Sequence, residues 1–210
     1  MRKLYITMLL AAIFVVGAAT VIINTKSIDE PMTYVTSSSW GDEILNNSLL
    51  ADGSESIILG HVIKVNPAIW NTIDGKKPIS TSKMPASKEE FEEKEKERRI
   101  YADAIIKVDK KIKNESTPSE IVVRTLGGNV GDDFMLVEDE AKFEVGEKVL
   151  LFLTKEDPFT DNSAGTHYRV TGWKFGKFSI TNDNQALRPN LPESHKKISL
   201  EELLNSIGAQ

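Results

Sequence analysis

The sequence predicts a mainly β domain, a small antiparallel barrel or sandwich, with a short amphipathic helix at its carboxy end. Three observations predict it. Short apolar runs recur between Ile57 and Ile180, several of them alternating with period two. Turn-forming Gly, Asn and Pro residues separate those runs at close intervals. Helical periodicity is confined to short stretches, and close spacing of many short strands with little helix is the pattern of a barrel or sandwich.

The chain opens on Arg2 and Lys3, followed by Leu4–Ile23, a run without a charge. A basic pair ahead of an apolar run addresses a chain to export, the positive end staying on the cytoplasmic side. As a signal peptide, Met8–Val16 forms the core and Gly17-Ala18-Ala19 the small-residue cleavage site. As an anchor, the run meets the requirement of about 20 apolar residues for a hydrocarbon core of roughly 30 Å. Val21-Ile22-Ile23 carry the apolar run past the cleavage site and favour the anchor. No cysteine follows, so a lipid-modified amino-terminal cysteine is excluded. The expected organisation is a signal peptide or transmembrane anchor over 1–26 and a polar tether over 27–39. An extracytoplasmic β-barrel domain over 40–210 follows, with a charged helical insertion at 87–99.

Composition excludes several classes. A net charge of −5 and no broad basic surface leave nucleic-acid binding without electrostatic support. The absence of cysteine removes disulfides, thiol nucleophiles and thiolate metal sites, so the fold relies on packing and strand pairing.

Trp40–Leu50 reads as a short helix with Ile44 and Leu45 on its buried side. Ile57–Val65 is apolar on both alternating faces and reads as a central strand, with Gly60 at a bulge or close approach. Ser87–Arg99 repeats opposite charges three and four residues apart, the pattern of a solvated helix, with Phe91 as its one anchor. From Ile100 the period becomes two, with Ala102, Ala104, Ile106 and Val108 on one face. A turn at Asn114–Pro118 leads to a strand holding Ile121, Val122, Val123 and Arg124. Phe134–Val137 is a further short run, and Val149–Leu153 is the strongest core strand. Tyr168–Trp173 and Phe175–Ile180 bend around Gly172 and Gly176 and predict a hairpin. Ser199 and Glu202 form a capping box for a helix whose Leu200, Leu203, Leu204 and Ile207 share one side; Gly208 closes it.

No motif predicts a catalytic residue. Gly127-Gly128-x-x-Gly131 lacks a following lysine, and Asp132 and Asp133 would repel a phosphate, so it reads as a turn or bulge. The acidic group Asp132, Asp133, Glu138, Asp139 and Glu140 offers hard oxygen ligands, with Asp132 and Asp133 the nominees for a weak calcium site. His61, His167 and His195 show no metal-ligand spacing. The binding nominees are Trp173, Lys174, Phe175 and Lys177, because aromatics beside cations suit a sugar, a peptide or a headgroup layer.

Five segments carry a resemblance: I-I-L-G-H-V (Ile57–Val62), V-D-K-K-I-K (Val108–Lys113), E-I-V-V-R-T-L-G-G (Glu120–Gly128), F-E-V-G-E-K-V-L-L-F-L (Phe143–Leu153) and Y-R-V-T-G-W-K-F-G-K-F-S-I (Tyr168–Ile180). Together they resemble exported β-barrel domains of bacteria and archaea and, more remotely, the OB-type barrel of the netrin and tissue-inhibitor-of-metalloproteinase families. The resemblance implies a small OB-like antiparallel barrel that binds through a face or loops. The tissue inhibitors act through an amino-terminal cysteine, which this chain lacks, so no functional residue transfers.

The expected role is an extracytoplasmic, membrane-tethered, non-enzymatic domain that needs no cofactor. Its expected partner is a protein or envelope polymer, with membrane contact through the amino-terminal segment and no nucleic acid. The alternatives are a metal-assisted hydrolase using Asp132, Asp133 and a histidine from another loop, or an accessory protein docking a larger complex through Glu89–Arg99.

Overall fold

The computed structural model describes residues 31–36, 45–79, 85–160, 165–188 and 196–208. The leader, most of the tether, Trp40, Ile44 and His195 lie outside the described residues. The chain divides into Met1–Pro31 with Ile79–Ser82, and Met32–Pro78 with Lys83–Gln210; the second unit holds every element that follows.

In chain order these are β1 (Thr33–Thr36), α1 (Asn47–Asp52), β2 (Ser56–Val65), β3 (Ile69–Trp70) and α2 (Lys88–Glu97). Next come β4 (Ile100–Lys113), β5 (Glu120–Leu126), β6 (Gly128–Val130), β7 (Asp133–Val137) and β8 (Lys148–Thr154). Then follow β9 (Arg169–Val170), β10 (Lys177–Ile180), β11 (Gln185–Leu187), β12 (Lys197–Ser199) and α3 (Leu200–Ser206). The fold is mainly β, as the periodicity predicts.

β2 lies at the middle of the larger sheet, antiparallel to β4 on one side and to β8 on the other. Its alternation explains why the run is apolar on both faces. Ile58 and Val62 point into a first core with Ala104, Ile106, Ile121, Val123, Val149, Leu151, Leu153 and Val170. Ile57 turns the other way, into a second core with Leu150, Phe152, Phe178, Ile180 and Ala186, capped by Leu50 of α1 and Leu203 of α3. Residues Val149–Leu153 are all fully buried because β8 serves both cores. A third, smaller cluster joins Trp70, Ile100, Met135 and Val137.

Gly60 behaves as its place in an apolar strand predicts. The β2–β4 register shifts between Leu59 and Gly60, and a Cβ there would stand 2.4 Å from the Lys107 carbonyl oxygen. Gly127 and Gly128 have φ of 103° and 127° and lead into the β6–β7 hairpin rather than a helix, so no phosphate loop forms. β1 joins the small sheet parallel to β7 and leaves Tyr34 and Val35 exposed.

Strand order around the first core runs β4–β2–β8–β9 on one side and β4–β5 on the other. β5 and the start of β9 meet at one parallel bridge, Val123 with Tyr168. The Tyr168 N–H donates to the Val122 carbonyl, and the Arg124 N–H donates to the Tyr168 carbonyl, both at 2.8 Å. The described strands therefore form sheets, not a continuously closed barrel.

Two elements differ from the sequence reading. The first helix begins at Asn47, where the Asn46 side chain accepts the Ser48 and Leu49 amides, and it buries Leu50 and Ala51. Leu45 lies before its start. The predicted hairpin at Tyr168–Ile180 is instead one strand direction with an excursion. β9 and β10 both pair with β8, at Leu153–Val170 and Leu151–Lys177, and a 3-10 turn at Trp173–Gly176 bulges out between them. The turn packs tightly: a Cβ on Gly176 would stand 2.0 Å from the Thr171 carbonyl oxygen.

The helices follow their signals. α2 is capped by Ser87, buries no residue, and carries Lys88–Glu92 and Lys94–Glu90 pairs at i,i+4. α3 has the reciprocal Ser199–Glu202 box, and Leu200, Leu204 and Ile207 flank its buried Leu203.

These packing roles separate two phenylalanines that look alike in the sequence. Phe152→Ala is expected to cost about 3–5 kcal/mol, while Phe91→Ala, on the exposed helix, stays within about 0.5 kcal/mol; urea unfolding of the two variants measures the difference. Gly60→Ala is expected to destabilise by about 1–3 kcal/mol, read in the same titration as a lower midpoint at unchanged slope.

Candidate functional site

The aromatic and basic residues nominated by the sequence lie together on the 3-10 excursion, where most of them are engaged. Phe175 and Lys177 are buried. The Lys177 ammonium donates to Glu147 at 2.6 Å, and Lys174 pairs with Asp139 at 2.7 Å. Trp173 has φ of 60°, a backbone region that disfavours a bulky side chain, and its ring packs 5.3 Å from Phe159. Of the four residues, Trp173 and Lys174 retain partial exposure.

The acidic group resolves largely into ion pairs. Asp133, at the start of β7, accepts from the Met32 amide at 2.8 Å and from Lys77 at 2.7 Å. Burial works to raise its carboxyl, but these two hydrogen bonds prevail and hold it below the ordinary range. Asp132 is exposed in the adjoining turn, Asp139 pairs with Lys174, and Glu140 pairs with Arg169. Among the described residues no three His, Asp or Glu side chains converge as a metal site. His61 is a rim residue, paired with Asp109 across β2 and β4.

A buried polar network brings together residues scattered in sequence. Outside the β5–β9 junction, Asp157 and His167 pair through Nε2 and Oδ2 at 2.8 Å, each side chain 1% exposed. Asp157 also accepts the amides of Phe159 and Thr160 and the Thr160 hydroxyl. Arg124 donates to Thr160 at 3.3 Å, grips Asp103 through two hydrogen bonds at 2.9 and 3.0 Å, and lies 3.7 Å over the Tyr101 ring. Arg169 donates to Glu140 at 3.1 Å, with its guanidinium 4.6 Å from the ring centres of both Phe159 and Trp173. Glu140 in turn accepts the Leu126 amide at the end of β5.

Burial sets the electrostatics of this network. It works to raise Asp157, but hydrogen bonds from His167, Thr160 and the Phe159 amide overcome it and hold the carboxyl well below the usual range. For Glu140 burial wins against Arg169 and the Leu126 and Ala141 amides, and the carboxyl is pushed up.

Beside the network the junction opens into a cleft of about 240 Å³. Glu120, Ile121 and Val122 of β5 form one wall; Lys155, Thr166 and Tyr168 form the other. The Lys155 ammonium stands 5.6 Å from the Tyr168 ring.

Neither the network nor the cleft was nominated from sequence. Arg124, Asp157, His167 and Arg169 are far from ordinary polar surface positions once folded, yet nothing in their spacing sets them apart. One signal exists: Arg124 and Arg169 interrupt apolar strand runs, where a buried charge must find a partner.

Because the folded Asp157 carboxyl titrates below its unfolded counterpart, its contribution is present above the ordinary carboxylate value of about 4 and is lost as pH falls below that. Asp157→Asn is expected to cost about 3–5 kcal/mol near neutrality and to flatten the acid limb of the stability profile; urea unfolding across pH 3–7 checks both. In comparisons with known proteins, no protein-family model and no curated protein matches the chain.

Proposed function

We propose that the chain is an extracytoplasmic, membrane-tethered binding domain of OB-like type, non-enzymatic, whose partner is a protein or envelope polymer. The observation that carries this reading is the position and size of the cleft. Taking β2, β4, β5, β8 and β9 as five successive barrel strands, the cleft lies on the third, against the loop that joins the fourth to the fifth. OB-type barrels bind at the face of the second and third strands and at that same loop. The parallel contact between β5 and β9 supports the same strand order.

A volume of about 240 Å³ falls below the ~300–1,000 Å³ typical of sites that enclose a small molecule. It suits one or two residues of a larger chain. Trp173 and Lys174, both partly exposed, supply a second contact surface of mixed aromatic and cationic character. The export-type leader, Arg2–Ile23, which lies outside the described residues, supports placement of the domain outside the cytoplasm. Among the described residues no helix is long and apolar enough to cross a membrane.

The test uses the full chain in detergent, passed over immobilised wall polymer and over solubilised membrane proteins from its host. Retention on one of the two is expected, with Lys155→Glu or Trp173→Ala weakening it about tenfold. Retention unchanged in both variants, or no retention at all, overturns the reading.

A further inference from the structure

The cleft has a wall of backbone as well as side chains. In a strand the N–H and C=O groups of alternate residues point to the same side. The Val122 carbonyl and the Arg124 amide both point away from β4, because both bond Tyr168. The Val122 N–H and both backbone groups of Glu120 therefore point the same way, along the free edge of β5.

A second parallel bridge, Ile121 with Thr166, would satisfy the Val122 N–H and the Glu120 carbonyl. It needs the Val122 N–H to reach the Thr166 carbonyl and the Thr166 N–H to reach the Glu120 carbonyl. Neither bond forms, and the cleft lies in their place, between Glu120–Val122 and Thr166. The ladder stops after one rung, leaving two donors and one acceptor facing a slot with Ile121 and Tyr168 among its lining. Lys155 lines the opposite side, and among the described residues no carboxylate lies within ion-pair distance of its ammonium.

From this geometry we infer that the cleft accepts an extended peptide segment of a partner protein, paired with the β5 edge at Glu120 and Val122 and carrying an acidic side chain to Lys155. This rests on the binding role proposed above and narrows it to one chemistry. Main-chain pairing supplies affinity, while the slot and Lys155 select the side chains. A saccharide has no comparable alternation of donors and acceptors to match a strand edge.

The probe is a phage-displayed library of random twelve-residue peptides, selected on the full chain in detergent. Selected peptides are expected to be enriched in Asp or Glu and to slow hydrogen exchange at the Glu120 and Val122 amides. Val122→Pro removes the outward N–H while the β4 ladder, made by the alternate residues, stays intact; it is expected to weaken the peptides about five- to tenfold. If that variant fails to fold, Lys155→Glu serves instead, with the expected outcome that selection shifts from acidic to basic peptides. The inference is overturned if no peptide is selected, if the Glu120 and Val122 amides stay unprotected, or if a folded Val122→Pro binds as well as the parent. Retention on wall polymer with no peptide selected overturns it while leaving the broader binding role standing. Failure of both assays overturns both.

Discussion

The junction between β5 and β9 is the point on which the architecture depends. Two backbone hydrogen bonds to Tyr168 join them, and a typical hydrogen bond contributes a net of only about 1 kcal/mol. The chain reinforces this short contact from outside with Arg124, Asp157, His167, Arg169 and Glu140, which tie both strands to the loops that cross them. Buried ions of this kind lose several kcal/mol to desolvation and recover it only when every partner is in place. The network is therefore better understood as specifying one arrangement of β5, β9 and the described residues beside them, Lys155–Thr160 and Gly165–Tyr168, than as a source of net stability.

That division of labour also explains why the cleft survives beside it. A continued parallel ladder would have sealed the slot with more hydrogen bonds. Here the Asp157 carboxylate collects His167, Thr160 and the Phe159 amide, and Lys155 and Thr166 line the cleft together with Glu120–Val122.

Much of the fold was legible in the sequence because each signal there had a single local cause. The two-sided apolar run at Val149–Leu153 declared a strand shared by two cores, and Ser199 with Glu202 declared the start of the last helix. The Tyr168–Ile180 stretch misled because Gly172 and Gly176 read equally well as a hairpin turn or as a bulge within one strand. What decides is which strand receives the two halves, and β8 lies outside that stretch. The nominated site suffered from a related ambiguity. Lys174 and Lys177 look available among aromatics, but their carboxylate partners Asp139 and Glu147 come from a distant part of the chain. The cleft was invisible for a different reason: it is made of backbone groups that fail to pair, and no side-chain pattern records them.

The place of β2 at the centre of the larger sheet also sets a schedule. Its nearest structural neighbours are β4 and β8, and β8 is synthesised long after β2. Until Leu153 is available, Ile57 and Ile58 have only one flanking strand and neither core can close. A growing chain thus carries β2 with one edge unsheltered until β8 is made, and the native state is reached late, through contacts distant in sequence. Such topologies fold slowly and expose strand edges on the way. The charged stretch Lys88–Glu97, solvated and without a buried residue, falls within that interval, and charge flanking apolar strands disfavours their association between chains.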